Sequence, residues 1–293
     1  MTEGGSSIEG SLLPRVERRR SPEGRVRWLL AEQDSFRDLT AAGAGDPLAD
    51  LAARLLDRAG WESLCAQAPS VEARDWTLLR PGRPGKALCL GKNFAAHARE
   101  FGAEPPRELV WFAKLPDVLT GPGEAVVIPA WLETRVDPEA EAVVLIGARL
   151  LHAGEDACAR AIAAWTLGND VTARKQQGLD RQQGWPWLRC KNLATFGPLG
   201  PGWVPAFEIP DPAGIRLRGK VNGEVRQEAP LADLIWPPAR ALAEICRWTP
   251  LEPGDILFLG TPAGVAPIRA GDRLEVEAEG LGRLRNPVAA GRS

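Results

Sequence analysis

Val136-Asp-Pro-Glu139-Ala-Glu141-Ala-Val-Val-Leu-Ile-Gly147 is the stretch around which this 293-residue chain is organised. Ala142 to Ile146 are apolar on both faces of an extended chain, which predicts a buried strand. Two carboxylates stand at its start at i and i+2, the spacing that sets Glu139 and Glu141 side by side on one face. Bare carboxylates at the edge of a core repel each other and lose hydration, a costly arrangement unless a cation lies between them. A hard divalent cation such as Mg²⁺ meets that need with oxygen ligands. The other reading is an exposed strand end whose glutamates pair with arginines. This stretch alone leaves both readings open.

Downstream, Ala and Ile dominate Glu155 to Trp165, which predicts a helix, and the run Thr166-Leu-Gly-Asn-Asp170-Val-Thr-Ala-Arg174-Lys-Gln-Gln177 follows. Asp170 lies one helix beyond the glutamates, so a strand–helix–strand crossover is expected to return it to the same end of the sheet. Farther on, Lys191 sits among Trp185, Trp187, Leu188 and Phe196. A partly buried lysine pairs with an acid or meets an anionic ligand.

Upstream, Lys86 to Leu90 reads as a short apolar strand. Asn93 to Gly102 then opens on an N-cap residue and closes on glycine, as a helix does. His97 and Glu100, at i and i+3, share one face of that helix. A carboxylate beside an imidazole orients it as a general base requires; a surface His–Glu pair of small value is the plainer alternative. Val110 to Leu115 is an apolar run holding one lysine, Lys114.

Composition narrows the field. A net charge of −2 gives no basis for a nucleic-acid surface. Cys65, Cys89, Cys158, Cys190 and Cys246 never form a CxxC pair, which speaks against a disulfide framework and suits a reducing cytoplasm. No apolar run is long enough to span a bilayer, so no membrane role is expected. With only His97 and His152 present, carboxylates must dominate any metal shell.

Residues 1–24, Gly/Ser-rich and then basic, read as a mobile tail, and residues 25–84 as a small N-terminal domain with a helix over Pro47 to Gly60. Toward the C-terminus, Ile215 to Val221 alternates before an Asn222-Gly223 turn, a hairpin signal. A helix over Trp236 to Trp248 and strands over Ile256–Leu259, Arg273–Glu279 and Leu284–Val288 complete a β-rich α+β chain.

GKNFAAHAREFG, LTGPG, DPEAEAVVLIG, TLGNDVTARKQQ, KNLATFGPLGP, VNGEVRQ, LEPGDILFLGTPAGV and GDRLEVEAEGLGRLRNPV, in this order, resemble the fumarylacetoacetate hydrolase superfamily. The resemblance covers about Gly85 to Val288, which makes residues 85–293 the expected catalytic domain. It implies a mixed β-roll, often dimeric, hence a homodimer, with a smaller N-terminal domain. It also implies that Glu139, Glu141 and Asp170 hold Mg²⁺ or Mn²⁺, with Ca²⁺ possible. His97 with Glu100, and Lys191, are the implied catalytic groups, and Arg174, Gln177 and Thr261 the implied substrate contacts.

The implied substrate is a small 2-oxo acid. The cation polarises its carbonyl, C–C cleavage of an acylpyruvate or β-diketo acid leaves an enolate, and His97 deprotonates the attacking water. The expectation is a metal-dependent C–C hydrolase. A decarboxylase or isomerase using the same enolate, or a metal-binding homologue without catalysis, are the alternatives. The chain departs from the family pattern at Phe94, Lys175, Asn192 and Leu259, positions that bear on substrate identity more than on metal binding.

Overall fold

Alternate residues of the strand Ala140–Ile146 feed two different cores, and this explains why all seven are buried. In the computed structural model, which describes residues 12–33, 35–45, 47–100 and 106–291, Ala142, Val144 and Ile146 pack with Leu242 and Ile245 of the helix Pro238–Ile245. Val143 and Leu145 pack on the other face with Leu48, Leu51 and Leu55. The period-two alternation of a strand produces this division, and each large aliphatic side chain so buried contributes about 1.5–3 kcal/mol.

Ala140–Ile146 lies inside an 11-stranded sheet. Along its main path run Ser35–Asp38, Val26–Glu32, Arg15–Arg20, Gly197–Pro205, Ile162–Asn169, Ala140–Ile146, Ile256–Phe258, Ala87–Gly91 and Val110–Lys114. A second, five-stranded sheet holds Glu224–Pro230, Arg216–Val221, Arg273–Ala278, Gly282–Ala290 and Val126–Ile128. The expected hairpin is present. Val221 pairs with Glu224, and Asn222 and Gly223 take φ of 54° and 89°, as a tight turn between twisted strands requires.

Three expectations change. The helix expected over Glu155 to Trp165 stops at Arg160, and Ile162–Asn169 is a strand. Pairing on both sides, with Ala140–Ile146 and Gly197–Pro205, outweighs the helix propensity of its alanines. The expected crossover is therefore replaced by direct antiparallel pairing with Ala140–Ile146. Finally, Arg15–Arg20, expected within the tail, is a strand. Its buried Glu17 accepts from Arg15 Nε at 2.7 Å and Arg19 Nε at 2.6 Å, so the basic run partly neutralises its own acid.

Within residues 25–84, expected as a small N-terminal domain, Val26–Glu32 pairs with Arg15–Arg20, whose Val16 pairs with Trp203, and the helix Leu48–Arg54 shares a core with the central strand. Residues 1–11 of the expected tail and Gly102, the expected helix stop, lie outside the described residues. Among the described residues no helix is long and apolar enough to cross a membrane.

Candidate active site

Antiparallel register brings the third carboxylate to the first two. Ala140 pairs with Asn169 and Glu141 with Gly168, so Asp170 emerges beside Glu139. The Asp170 N–H donates to the Glu139 carbonyl at 2.9 Å, and the Glu139 N–H donates to Asn169 Oδ1 at 2.9 Å. One carboxylate oxygen from each of Glu139, Glu141 and Asp170 lies within 4.8 Å of the others, and all three residues are buried.

Cations surround two of these acids. Lys191 Nζ donates to Glu139 Oε2 at 2.8 Å and to Asp170 Oδ2 at 2.5 Å. Lys114 Nζ donates to Asp170 Oδ1 and to the Lys191 carbonyl, each at 2.6 Å. Arg174 reaches Glu139 Oε1, and its Nε donates to Asp137 Oδ2 at 2.8 Å. Burial opposes ionisation of Glu139, but Lys191, Arg174 and His97 outweigh it and hold its carboxyl well below the usual range. Burial likewise disfavours the Lys191 ammonium, yet Asp170 and Glu139 keep it charged beyond the ordinary lysine range.

Glu141 is the exception. Its Oε2 accepts from the Gly260 N–H at 2.6 Å, and burial, with Asp170 and Glu139 adding to it, pushes its carboxyl well above the usual carboxylate range. A buried carboxylate with like charges beside it and one backbone donor fits a place where positive charge is to be bound. Three buried oxygen donors suit a hard divalent cation.

His97 lies on the helix Ala95–Glu100, and its Nδ1 is 3.2 Å from Glu100 Oε2. Glu100 Oε1 accepts from the Gly264 N–H at 3.1 Å, which ties this helix to the loop after Ile256–Phe258. Because the carboxylate accepts, the neutral ring keeps its proton on Nδ1 and its lone pair on Nε2. Burial lowers the His97 pKa from its usual value, against the opposing pull of Glu139 and Glu100, so the base form is favoured.

A cavity of about 240 Å³ gathers His97, Glu139, Glu141, Arg174, Gln177, Lys191 and Thr261. Of the residues expected from the sequence, Asp170 and Glu100 lie behind this wall, bonded to Lys191 and His97. Arg174 Nη1 donates to Gln177 Oε1 at 2.7 Å, so Gln177 keeps its amide hydrogens for a ligand. Gln227 accepts the Ala140 N–H at 3.1 Å through Oε1, while its Nε2 donates to the Pro262 carbonyl at 2.7 Å and to Thr261 Oγ1 at 2.6 Å. With its oxygen accepting there, Thr261 has its hydroxyl hydrogen left to donate.

Lys114, Gln227, Phe112, Trp187, Lys92 and Arg181 were not among the expected site residues, though all but Lys114 and Gln227 line the cavity. Lys114 did carry a signal, as the one charge in an apolar run, and it is 1% exposed. The departures from the family pattern have structural partners: Phe94 and Leu259 are core residues. Asn192 accepts the Leu115 N–H at 2.5 Å and donates to the Leu188 carbonyl at 2.9 Å, joining the Lys114 strand to the Lys191 helix.

A family model described as the C-terminal region of fumarylacetoacetate hydrolase matches residues 86–289. The chain belongs to the fumarylacetoacetate hydrolase family. It is 40% identical to an uncharacterized protein of Pyrococcus horikoshii over 208 residues, 71% of this chain and 90% of that protein. It is 33% identical to the mitochondrial oxaloacetate tautomerase Fahd2a of Rattus norvegicus over 234 residues, 77% of this chain and 74% of the relative. The solved fumarylacetoacetate hydrolase from Exiguobacterium antarcticum has a TM-score of 0.81 and 29% identity, covering 94% of this chain and 99% of that one. Family membership and the buried acidic triad agree with an enzyme fold built on a candidate metal centre.

Proposed function

We propose that this chain is a divalent-cation-dependent hydrolase that cleaves a C–C bond of an acylpyruvate or related β-diketo acid. The observation that supports this reading is the meeting of His97 and the carboxylates Glu139 and Glu141 on one cavity. Glu139, Glu141 and Asp170 hold Mg²⁺ or Mn²⁺, with Ca²⁺ a further candidate. A cation held there supplies positive charge for the oxygens of the 2-oxo acid head and for the enolate that cleavage releases.

The chain's own groups do the rest. Lys191, beside Glu139 and Asp170, adds positive charge on the same side. His97, neutral and oriented by Glu100, takes a proton from the water that attacks the second carbonyl carbon. Arg174 holds Glu139 ionised and directed, and Thr261 and Gln177 offer hydrogen-bond donors to the substrate.

A second reading, tautomerisation of a 2-oxo acid such as oxaloacetate, is favoured by the 33% identity to the rat tautomerase. There His97 moves a proton between carbon and oxygen, and no water attacks. Acylpyruvates and oxaloacetate, each assayed with Mg²⁺ and Mn²⁺ and followed by product identification, separate the two. Release of two fragments, lost in Glu139→Gln and in EDTA, supports the hydrolase. Enol–keto exchange without fragments supports the tautomerase. Turnover unchanged in EDTA and in Glu139→Gln sinks both.

A further inference from the structure

Asp137 is fully buried and plays no part in the proposed chemistry, yet both of its carboxylate oxygens are engaged. Oδ1 accepts from Arg135 Nε at 2.6 Å and Oδ2 from Arg174 Nε at 2.8 Å. Backbone pairing prepares this arrangement. The two-residue strand Val136–Asp137 pairs with Thr172–Ala173, with Thr172 opposite Asp137. The Arg174 N–H then donates to the Arg135 carbonyl at 2.8 Å, so one short ladder brings both arginines to the same carboxylate.

Asp137 and Glu139 stand at i and i+2, and Arg174 bridges them, with Nε on Asp137 and Nη2 on Glu139 Oε1. Its Nη1 donates to Gln177 Oε1 at 2.7 Å. All three guanidinium nitrogens thus reach different residues, which fixes the plane of the group as well as its charge. Glu139 is held from two sides in turn, by Arg174 on Oε1 and Lys191 on Oε2. Charge is also shared. With Asp137 present, the Arg174 guanidinium is divided between two carboxylates. Without it that charge would fall on Glu139 alone and compete with a cation for the same oxygens.

We propose that Asp137 is a positioning residue for the cation site. By holding Arg174 Nε it aims the Glu139 carboxylate and draws off part of the guanidinium's charge, and so strengthens divalent-cation binding. This rests on the proposed function for a cation at Glu139, Glu141 and Asp170, and is independent of the reaction that follows. Arg135 has a different part. Its side chain is 46% exposed, so water can replace it, and its contact with Asp137 does not lead on to Glu139.

The test reads cation binding, with thermal unfolding of the cation-free protein as the measure that each variant folds. Calorimetric titration with Mn²⁺ compares the wild type, Asp137→Asn, Arg135→Gln, Arg174→Lys and the double variant Asp137→Asn/Arg174→Lys. Asparagine keeps the shape of the side chain but offers one acceptor oxygen to two arginines and no charge. Asp137→Asn is expected to weaken Mn²⁺ binding by roughly 10–100-fold, the usual loss when a partner behind a metal ligand is removed. Arg135→Gln leaves the Kd within about threefold of the wild type. The double variant binds within about threefold of the weaker single variant, because both substitutions break one contact. An Asp137→Asn Kd within threefold of the wild type overturns the proposal, as do losses that multiply in the double variant. So does an equal loss in Arg135→Gln, which would mark Asp137 as a structural clasp. Where Asp137→Asn does not fold, the smaller Asp137→Ser takes its place under the same thresholds. Absence of Mn²⁺ binding in the wild type removes the cation site and this proposal together, whereas unchanged affinity in Asp137→Asn removes this proposal alone.

Discussion

Lys114 Nζ lies 2.6 Å from Asp170 Oδ1, with both side chains withdrawn from solvent. The residues are 56 positions apart; Lys114 closes the strand Val110–Lys114, and Asp170 follows directly on Ile162–Asn169. The ammonium also donates to the Lys191 carbonyl at 2.6 Å, so one lysine positions both a candidate ligand and the second lysine.

Removing one partner of a buried ion pair costs up to about 3–5 kcal/mol, and Lys191, which also pairs with Asp170, offsets part of it. Lys114→Met is expected to lower the stability of the cation-free protein by that order. Asp170, left with the Lys191 ammonium alone, then gains more from a bound cation, so the rise in Tm on adding Mg²⁺ becomes larger than in the wild type. Thermal unfolding with and without Mg²⁺ measures both quantities. An unchanged increment would show that Lys114 does not share Asp170 with the cation.

Glu141→Gln removes the carboxylate that burial and its acidic neighbours disfavour, and it keeps an oxygen for the Gly260 N–H. Because the folded pKa of Glu141 is raised, its burden on the cation-free fold is absent below about pH 4.5. The burden grows as pH rises through the folded pKa. The variant is therefore more stable than the wild type at neutral pH without cation, by a few degrees in Tm. Cation affinity falls by more than roughly 100-fold, since changes one shell farther out already cost 10–100-fold. Calorimetric titration with Mn²⁺ and unfolding scans across pH check the two halves.

His97 with a lowered pKa is neutral at and above its usual titration range. The acid limb of kcat/KM is expected below pH 6.5, the ordinary histidine value. Glu100 raises the His97 pKa, so Glu100→Gln shifts that limb to still lower pH. His97→Gln lowers kcat by about 10²–10⁴-fold, the usual contribution of a general base. For stability, the neutral form favoured in the fold contributes fully above pH 6.5 and is lost as pH falls below it. A pH–rate profile in which Glu100→Gln moves nothing would disconnect the pair.

Gln227 is 2% exposed and joins the Ala140 N–H, the Pro262 carbonyl and Thr261. Gln227→Leu keeps the volume and orphans two backbone groups, each at about 1–3 kcal/mol. The expected outcome is a drop in stability of about 2–6 kcal/mol in denaturant unfolding. KM rises more than kcat falls, because Thr261 loses the bond that orients it. A fall in kcat alone would move Gln227 from positioning substrate to the chemical step.

The sequence alone determined what depends on short spacing. Glu139 and Glu141 share a face because side chains alternate along a strand. His97 and Glu100 touch because i and i+3 are neighbours on a helix, and the Asn222-Gly223 turn follows from the backbone angles those residues tolerate. Ordered motifs from Gly85 to Val288 pointed to the family. Tertiary structure decided the rest, through partners distant in the chain. Antiparallel pairing, rather than a crossover, carried Asp170 to Glu139. Sheet neighbours on both sides turned Ile162 to Trp165 from the helix its alanines favour into a strand, and Arg15–Arg20 found its place through Val16 and Trp203. Lys114, Lys92 and Arg181 join the site from three separate elements, because charge compensation and cavity shape act across space.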